Sequence, residues 1–140
     1  KKKGSPTRVY CVLGDGEFQE GQVWEAAMSA AHFKLDNIVG IVDRNRLMID
    51  GCTEDVMALE PFADKWRAFG WNVIEVNGHD LDELDCALDA AWKAEGKPTL
   101  ILANTVKGKG VDFMENNVVY HYASGDSALC EKAKASIMRG

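Results

Sequence analysis

The 140-residue sequence contains no apolar run approaching the roughly 18 residues of a membrane-spanning helix, and no signal-peptide core. It therefore predicts neither membrane insertion nor secretion, and we expect a cytoplasmic location. Internal repeats and low-complexity segments are missing as well. Given this length and a hydrophobic content of 46%, we expect a single globular domain over residues 1–140.

Paired cysteines are also missing. The four cysteines form no CxxC pair and are expected to be unpaired thiols, buried or incidental, in a reducing compartment: Cys11, Cys52, Cys86 and Cys130. The sequence has no His–Cys cluster that would favour a softer metal.

Basic residues are fewer than acidic residues. There are 16 Lys and Arg against 22 Asp and Glu, and the formal net charge of −6 argues against nucleic-acid binding. The one basic run, residues 1–3, is expected to belong to a flexible, solvated tail over residues 1–7.

The organising feature is a strand, glycine turn, helix and strand in succession. Residues 8–13 predict a buried parallel strand that ends at Gly-Asp-Gly, residues 14–16. A helix over residues 21–34 and a second strand over residues 38–42 follow, and the latter ends at Asp-Arg-Asn, residues 43–45. In open parallel sheets this carboxyl edge is where ligands bind.

The residue types at this edge suit a diphosphate with a divalent cation. Glycines let the backbone approach a ligand closely, but a helix N-terminus contributes only about 0.3–1 kcal/mol toward holding an anion. Mg²⁺ would supply the missing charge, because it prefers hard oxygens and shares its shell with phosphates. Asp15 offers a carboxylate, Asn45 an amide oxygen, and the loop after Asn45 a backbone carbonyl.

The remaining chain alternates helices and strands. Pro61 predicts a helix start, residues 71–76 and 99–103 predict strands, and residues 80–93 predict a helix with Asp80 as its cap. A terminal helix is expected within residues 124–140. This order predicts an α/β fold with a parallel sheet flanked by helices. One helical stripe is expected to be entirely core: Leu81, Leu84, Leu88 and Trp92.

Two further loops leave their roles open. His79 follows a strand, and a structural hydrogen bond is favoured over a functional role. Residues 105–110, Thr-Val-Lys-Gly-Lys-Gly, could offer N–H groups and lysine tips to an anion, or could form a flexible basic loop.

Four longer segments carry a specific resemblance: LGDGEFQEGQVWEAAMSAAHFKLDN, IVDRNRLMIDG, FADKWRAFGWNVIEVNGHD and TVKGKGVDFMENN. Together they resemble transketolase, in particular the N-terminal, diphosphate-binding subunit of bacterial transketolases split over two chains. The resemblance extends from residue 8 to about residue 122. It implies the thiamine diphosphate-binding fold, here without the N-terminal segment that family members carry before the glycine motif. A fragment and a naturally short gene both remain open.

The resemblance also implies a site for thiamine diphosphate with Mg²⁺, or Ca²⁺ or Mn²⁺. The implied metal ligands are Asp15, Asn45 and the Leu47 carbonyl. The implied cofactor contacts are these three residues with Gly14, Gly16, Lys107 and His121. His121 and Glu20 match family residues with catalytic roles. Arg44 replaces the first asparagine of the family motif and Tyr122 replaces a glycine. From the motif alone we expect Arg44→Asn to be tolerated, and Asp15→Ala to spare the fold.

The implied activity is transfer of a two-carbon ketol unit between sugar phosphates, as in the pentose phosphate pathway. The resemblance also implies an oligomer that includes a companion pyrimidine-binding subunit, because in the family that subunit supplies the activating glutamate. An open sheet edge and uncovered apolar helix faces are expected. The alternatives are another thiamine diphosphate enzyme, such as a deoxyxylulose-phosphate synthase-like protein, and a non-catalytic interaction module that keeps the fold.

Overall fold

Four parallel strands form the central sheet of the computed structural model, which describes residues 4–122 and 125–139. The strands are adjacent in the order β1-β2-β6-β5, and a two-stranded hairpin, β3-β4, lies outside the sheet. The strand bounds are β1 Val9–Gly14, β2 Ile38–Arg44, β3 Leu47–Met48, β4 Gly51–Cys52, β5 Asn72–Asn77 and β6 Thr99–Asn104. This confirms the predicted parallel sheet.

The helices connect these strands. Their bounds are α1 Gly21–His32, α2 Thr53–Met57, α3 Phe62–Ala68, α4 Leu81–Lys93 and α5 Ser127–Ile137, with short 3₁₀ helices at Asp15–Gln19 and Val118–His121. Sequence reasoning did not find α2, the hairpin or either 3₁₀ helix. The segment after Asn45, expected to be a loop, contains the hairpin and then α2.

The buried strand β6 divides the core into two clusters, because successive side chains of a strand point to opposite faces. Leu100 and Leu102 join an aromatic cluster with Phe62 and Trp66. Ile101 and Ala103 point the other way, into a cluster with the alanines of α4. Helices therefore cover both faces of the sheet, as its predicted parallel pairing requires.

Strand β1 corrects the expectation of a buried strand. It pairs with β2 alone and lies at the edge of the sheet. The side chains of Val9, Tyr10 and Val12 are 46%, 43% and 70% exposed. Val9 points to one face of the sheet and Tyr10 and Val12 point to the other, so β1 is exposed on both faces although its apolar residues suit burial. The uncovered edge agrees with the expectation of an open sheet edge.

Helix α4 begins as predicted, since the Asp80 carboxylate accepts hydrogen bonds from the N–H groups of Asp82 and Glu83. Its predicted core stripe is partly wrong. Leu84 and Leu88 pack on the core, but Leu81 and Trp92 are 79% and 54% exposed. The face of α4 that meets the sheet is centred on two buried alanines, Ala87 and Ala91, so the ends of the stripe turn away.

Other sequence expectations meet mixed outcomes. All four cysteines are free, as expected, and the exposure of Cys11, Cys86 and Cys130 fits incidental thiols and not buried ones. In the predicted tail, residues 4–7 are exposed and residues 1–3 lie outside the described part, as does residue 124 at the start of the segment predicted to hold a turn and the terminal helix. Across the described residues, no helix combines the length and the apolar character needed to span a bilayer.

Candidate functional site

One cavity of about 1160 Å³ is lined by every residue that the sequence proposed for cofactor, metal or catalysis. It extends from the carboxyl ends of β1 and β2 along the uncovered face of β1, past Leu13 and Cys11. Eight predicted residues line it: Gly14, Asp15, Gly16, Glu20, Asn45, Leu47, Lys107 and His121. The parallel sheet therefore brings together segments separated by more than 100 residues of sequence.

The glycine turn fits tightly against the hairpin. A Cβ atom at Gly16 would lie 3.0 Å from the Cβ of Met48, so any larger residue would push the hairpin away. The Glu17 carboxylate accepts the N–H of Gly14 and fastens the turn to the 3₁₀ helix that follows. The close packing therefore favours glycine at position 16, where the backbone carries no side chain.

Asp15 is not at a solvent-accessible strand end, which corrects the expectation behind Asp15→Ala. Its side chain is 1% exposed, and its Oδ2 atom accepts hydrogen bonds from Arg44 Nη1 at 3.0 Å and from the Arg46 N–H. In the described residues every hydrogen bond to this carboxylate goes to Oδ2. Because an alanine would leave the buried Arg44 without this partner, we expect Asp15→Ala to destabilise the fold.

Arg44 is the residue that sequence reasoning misjudged. It is 2% exposed, and its guanidinium contacts three carboxylates: Asp15 at 3.0 Å, Glu54 at 3.1 Å and Glu60 at 2.9 Å. Nη1 also donates to Thr53 Oγ1 at 2.9 Å, and the guanidinium lies 5.4 Å from the Phe62 ring centre. Asparagine is too short to make these contacts, so from the structure we expect Arg44→Asn to destabilise the fold.

The ionisation of this group follows from its contacts. Burial opposes the charge of Arg44, but Glu60, Asp15 and Glu54 together raise its pKa above the ordinary value. The backbone N–H of Phe62, with Arg44, lowers the pKa of the Glu60 carboxyl. At Glu54 burial raises the pKa, yet the N–H groups of Glu60 and Leu59 and the Arg44 guanidinium outweigh it and lower the pKa overall. The charged forms of Arg44, Glu54 and Glu60 thus favour one another.

Asn45 and Leu47 also line the cavity. The Oδ1 atom of Asn45 accepts the Leu47 N–H at 3.0 Å, a local turn that fixes the amide and the backbone of Leu47 together. Thr53 N–H donates to the Arg46 carbonyl and ties the hairpin back to the end of β2. Because the Arg46 N–H within this turn donates to Asp15, the turn that contains Asn45 and Leu47 lies beside Asp15.

These oxygens fit a hard divalent cation. An Asp carboxylate, an Asn amide and a backbone carbonyl are the donor types that Mg²⁺ and Ca²⁺ accept. No group of three or more His, Cys, Asp and Glu side chains suited to a metal occurs within residues 4–122 and 125–139. With one carboxylate among its proposed ligands, the site suits a cation that brings anionic phosphate ligands of its own.

The segment after β6 also lines the cavity. Lys107 is half-buried and lines the cavity, whereas Lys109 is exposed and lies 3.7 Å from the Glu115 carboxylate. Gly108 has a φ of +76°, and a Cβ atom there would lie 2.6 Å from the Met114 carbonyl oxygen. The loop therefore has a defined conformation in which the two lysines differ.

Two histidines flank this loop in different roles. His79 Nε2 accepts the Val106 N–H at 2.8 Å, the structural hydrogen bond that was favoured from sequence. His121, in the second 3₁₀ helix, lines the cavity with an exposed side chain. Tyr122 is 71% exposed and its ring meets that of His121 edge to face at 4.9 Å.

Glu20 lies at the start of α1 and lines the same cavity. It is exposed and its side chain makes no capping hydrogen bond. This position is that of a surface glutamate at a helix start, and a role toward a partner or substrate stays a prediction.

Residues 3–137 match the family described as the thiamine diphosphate binding domain of transketolase. The chain belongs to this transketolase family. It is 48% identical over 116 residues to the 6-deoxy-6-sulfo-D-fructose transketolase subunit SqwG of Clostridium sp. (strain MSTE9), with 83% of this chain and 42% of that protein covered. It is 43% identical over 126 residues to one of the subunits of the apulose-4-phosphate transketolase of Phocaeicola vulgatus, covering 90% and 45%.

Solved transketolase structures have the same fold. The transketolase of Campylobacter jejuni superposes with a TM-score of 0.86 at 36% identity, over 94% of this chain and 21% of that one. The transketolase of Pichia stipitis in complex with sedoheptulose 7-phosphate gives 0.85 at 30% identity, over 94% and 19%. The chain thus spans less than half the length of the curated relatives it matches.

Proposed function

We propose that this chain is the diphosphate- and Mg²⁺-binding part of a thiamine diphosphate-dependent transketolase. The observation that carries the proposal is the convergence of eight predicted residues on one cavity, where oxygen donors, Lys107 and His121 are brought together. Membership of the family supports thiamine diphosphate as the ligand. The metal and the individual contacts are our inference from the donor types.

The proposed residues fall into groups that bind different parts of the cofactor and its metal. Asp15, Asn45 and the Leu47 carbonyl hold the divalent cation, while the glycine turn lets the diphosphate approach the backbone. Lys107 balances the remaining negative charge. Bound in this way, the cofactor supplies a nucleophilic carbon and an electron sink for carbon–carbon bond cleavage in a ketose. In this proposal His121 hydrogen-bonds the diphosphate or the substrate, and Glu20 contacts the partner subunit.

The proposed reaction transfers a two-carbon ketol unit between sugar phosphates. The relatives named above are subunits of transketolases named for a sulfosugar and a sugar phosphate, and one solved relative holds a sugar phosphate. We extend the sugar phosphate class to the present chain, together with a companion pyrimidine-binding subunit, an oligomeric assembly and a cytoplasmic location. The exposed apolar face of β1 and the open cavity beside it are consistent with a domain that requires further protein surface.

Titration calorimetry of the full chain with thiamine diphosphate tests the proposal. We expect binding that requires Mg²⁺ and that strengthens when a pyrimidine-binding transketolase subunit is added. Thiamine, which lacks the diphosphate, is the control ligand and should not bind with Mg²⁺-dependent heat. Binding that ignored Mg²⁺, or failed with and without the companion, would instead favour a non-catalytic module.

The two lysines of the loop after β6 should differ in their contribution to diphosphate binding. Lys107→Ala should weaken it about tenfold at low salt and less at high salt, because the lost attraction is electrostatic. Lys109→Ala should change it little, since this side chain is exposed and lies near Glu115. Calorimetry at two salt concentrations measures both. Equal losses from the two variants would indicate a diffuse basic loop.

A further inference from the structure

The Arg44 cluster, defined as Arg44 with Asp15, Glu54 and Glu60, is more elaborate than structural stability at a strand end requires. Replacing a buried ion pair with apolar residues is often neutral or stabilising, so its presence needs another reason. The cluster lies directly behind the cavity, and Asp15 is the member that lines it. We propose that Arg44 is a positioning residue that fixes the Asp15 carboxylate for the divalent cation, an inference that rests on the proposed function.

The first step concerns the orientation of Asp15. Arg44 Nη1 and the Arg46 N–H both donate to the same oxygen, Oδ2. Two donors on one oxygen restrict rotation of the carboxylate and leave Oδ1 without a hydrogen bond in the part of the chain that the structure describes. That oxygen is the one available to a cation. Residues that hydrogen-bond a metal ligand in this way typically contribute 10- to 100-fold to metal affinity.

The second step concerns the position of Arg44 itself. Nη2 contacts Glu54 at 3.1 Å and Glu60 at 2.9 Å, and Nη1 also reaches Thr53. Both glutamates are held in turn by backbone N–H groups: Glu54 accepts from Leu59 and Glu60, and Glu60 accepts from Phe62 at 2.7 Å. Acceptors therefore hold the guanidinium at both of its Nη atoms, which restricts its movement relative to Asp15.

The third step concerns charge. A cation 3.0 Å from Asp15 would by itself lower the attraction of that carboxylate for Mg²⁺. Here three carboxylates face one guanidinium, so the cluster as a whole stays negative. Glu54 and Glu60 therefore let Arg44 orient Asp15 without cancelling its charge.

The test compares two Arg→Lys variants, which keep the positive charge, with a third variant that removes one carboxylate of the Arg44 cluster. Arg44→Lys retains a cation but cannot donate to Asp15, Glu54 and Glu60 from two nitrogens at once. Arg67→Lys is the matched control, because Arg67 also bridges two carboxylates, Asp64 at 2.8 Å and Glu75 at 2.7 Å, but on the exposed surface of α3. Glu60→Gln is the third variant, which leaves the Arg44–Asp15 contact in place.

Mn²⁺ affinity of the full chain is measured by electron paramagnetic resonance at saturating thiamine diphosphate, and thermal unfolding confirms that each variant is folded. We expect Arg44→Lys to lose about 10- to 100-fold in Mn²⁺ affinity. Arg67→Lys should change it by less than about twofold and Glu60→Gln by less than about fivefold, the range for exposed and partly exposed pairs. The Arg46 amide proton, measured by NMR without ligand, should shift in Arg44→Lys alone, because its acceptor moves.

Two outcomes would overturn the role of Arg44. Unchanged Mn²⁺ affinity in folded Arg44→Lys would show that Asp15 needs no such support. A loss in Glu60→Gln as large as that in Arg44→Lys would assign the effect to the integrity of the cluster instead of to Asp15. A parent chain that binds neither Mn²⁺ nor thiamine diphosphate would overturn the proposed function and this role with it, and is therefore distinguishable from failure of the role alone.

Discussion

The chain on its own should give no measurable ketol transfer when mixed with Mg²⁺, thiamine diphosphate, a ketose phosphate donor and an aldose phosphate acceptor. All its proposed cofactor contacts act at the diphosphate end: the glycine turn, the metal ligands and the loop that carries Lys107. The family resemblance implies that the companion subunit holds the pyrimidine ring and supplies the activating glutamate. If the reacting ring of the cofactor is not positioned, the reaction loses the roughly 7–11 kcal/mol by which orientation can lower its activation barrier.

The size of this effect makes the assay decisive. Since each 1.36 kcal/mol corresponds to tenfold in rate, the loss amounts to about five or more orders of magnitude. We expect activity to appear when a pyrimidine-binding transketolase subunit is added. The control is the same mixture with the Asp15→Asn variant, which should stay inactive with the partner. Turnover by the unpartnered chain that disappears in Asp15→Asn would refute the division of labour, whereas turnover that persists would indicate a contaminating transketolase.

The assembly of the cavity could be predicted from sequence because it depends on local patterns. Apart from Leu47 and His121, which were proposed from the family resemblance, the proposed site residues lie at or after the end of a strand or at the start of a helix, and the carboxyl ends of parallel strands meet at one edge. Asp15 follows β1, Asn45 follows β2 and Lys107 follows β6. Once the strands were placed, their proximity followed from topology without knowledge of any side-chain conformation.

The Arg44 cluster could not be predicted in this way. Its partners Glu54 and Glu60 lie in and after a short helix, α2, that has no strong sequence signal. An arginine at a strand end is ordinarily a solvated residue, and its burial depends on how the hairpin and α2 fold back over β2. The family motif predicts which residue type occupies position 44, but it carries no information about the side chains that surround Arg44.

The errors at β1 and α4 have a related cause. An apolar pattern shows which faces are suited to burial, but it does not show what covers them. Val12 has the residue type of a buried strand and is 70% exposed, while Trp92 has the spacing of a core residue and instead lies beside the Arg8 guanidinium, 4.2 Å from the ring centre. Pattern alone could not separate these positions from Leu84 and Leu88, which do pack on the core.

Asp15→Asn should abolish the dependence of thiamine diphosphate binding on Mg²⁺, with a loss in metal affinity of more than about 100-fold, beyond the range of a supporting residue. The substitution keeps the shape of the side chain and an oxygen that can accept from Arg44 and Arg46. It removes the one carboxylate among the proposed metal ligands, and an amide is a much poorer ligand for a cation that dehydrates reluctantly. Asparagine is chosen over alanine because the buried Arg44 retains a partner.

Calorimetry with and without Mg²⁺ measures the loss, and thermal unfolding shows that the variant is folded. Asp50→Asn is the matched control: it makes the same chemical change at an exposed position in the hairpin turn, and it should leave the Mg²⁺ dependence intact. If folded Asp15→Asn bound the cofactor with undiminished Mg²⁺ dependence, the metal would have to be held by other groups. The assignment of the Gly-Asp-Gly turn as the metal site would then be wrong, since its only ionisable side chain would have no part in binding the cation.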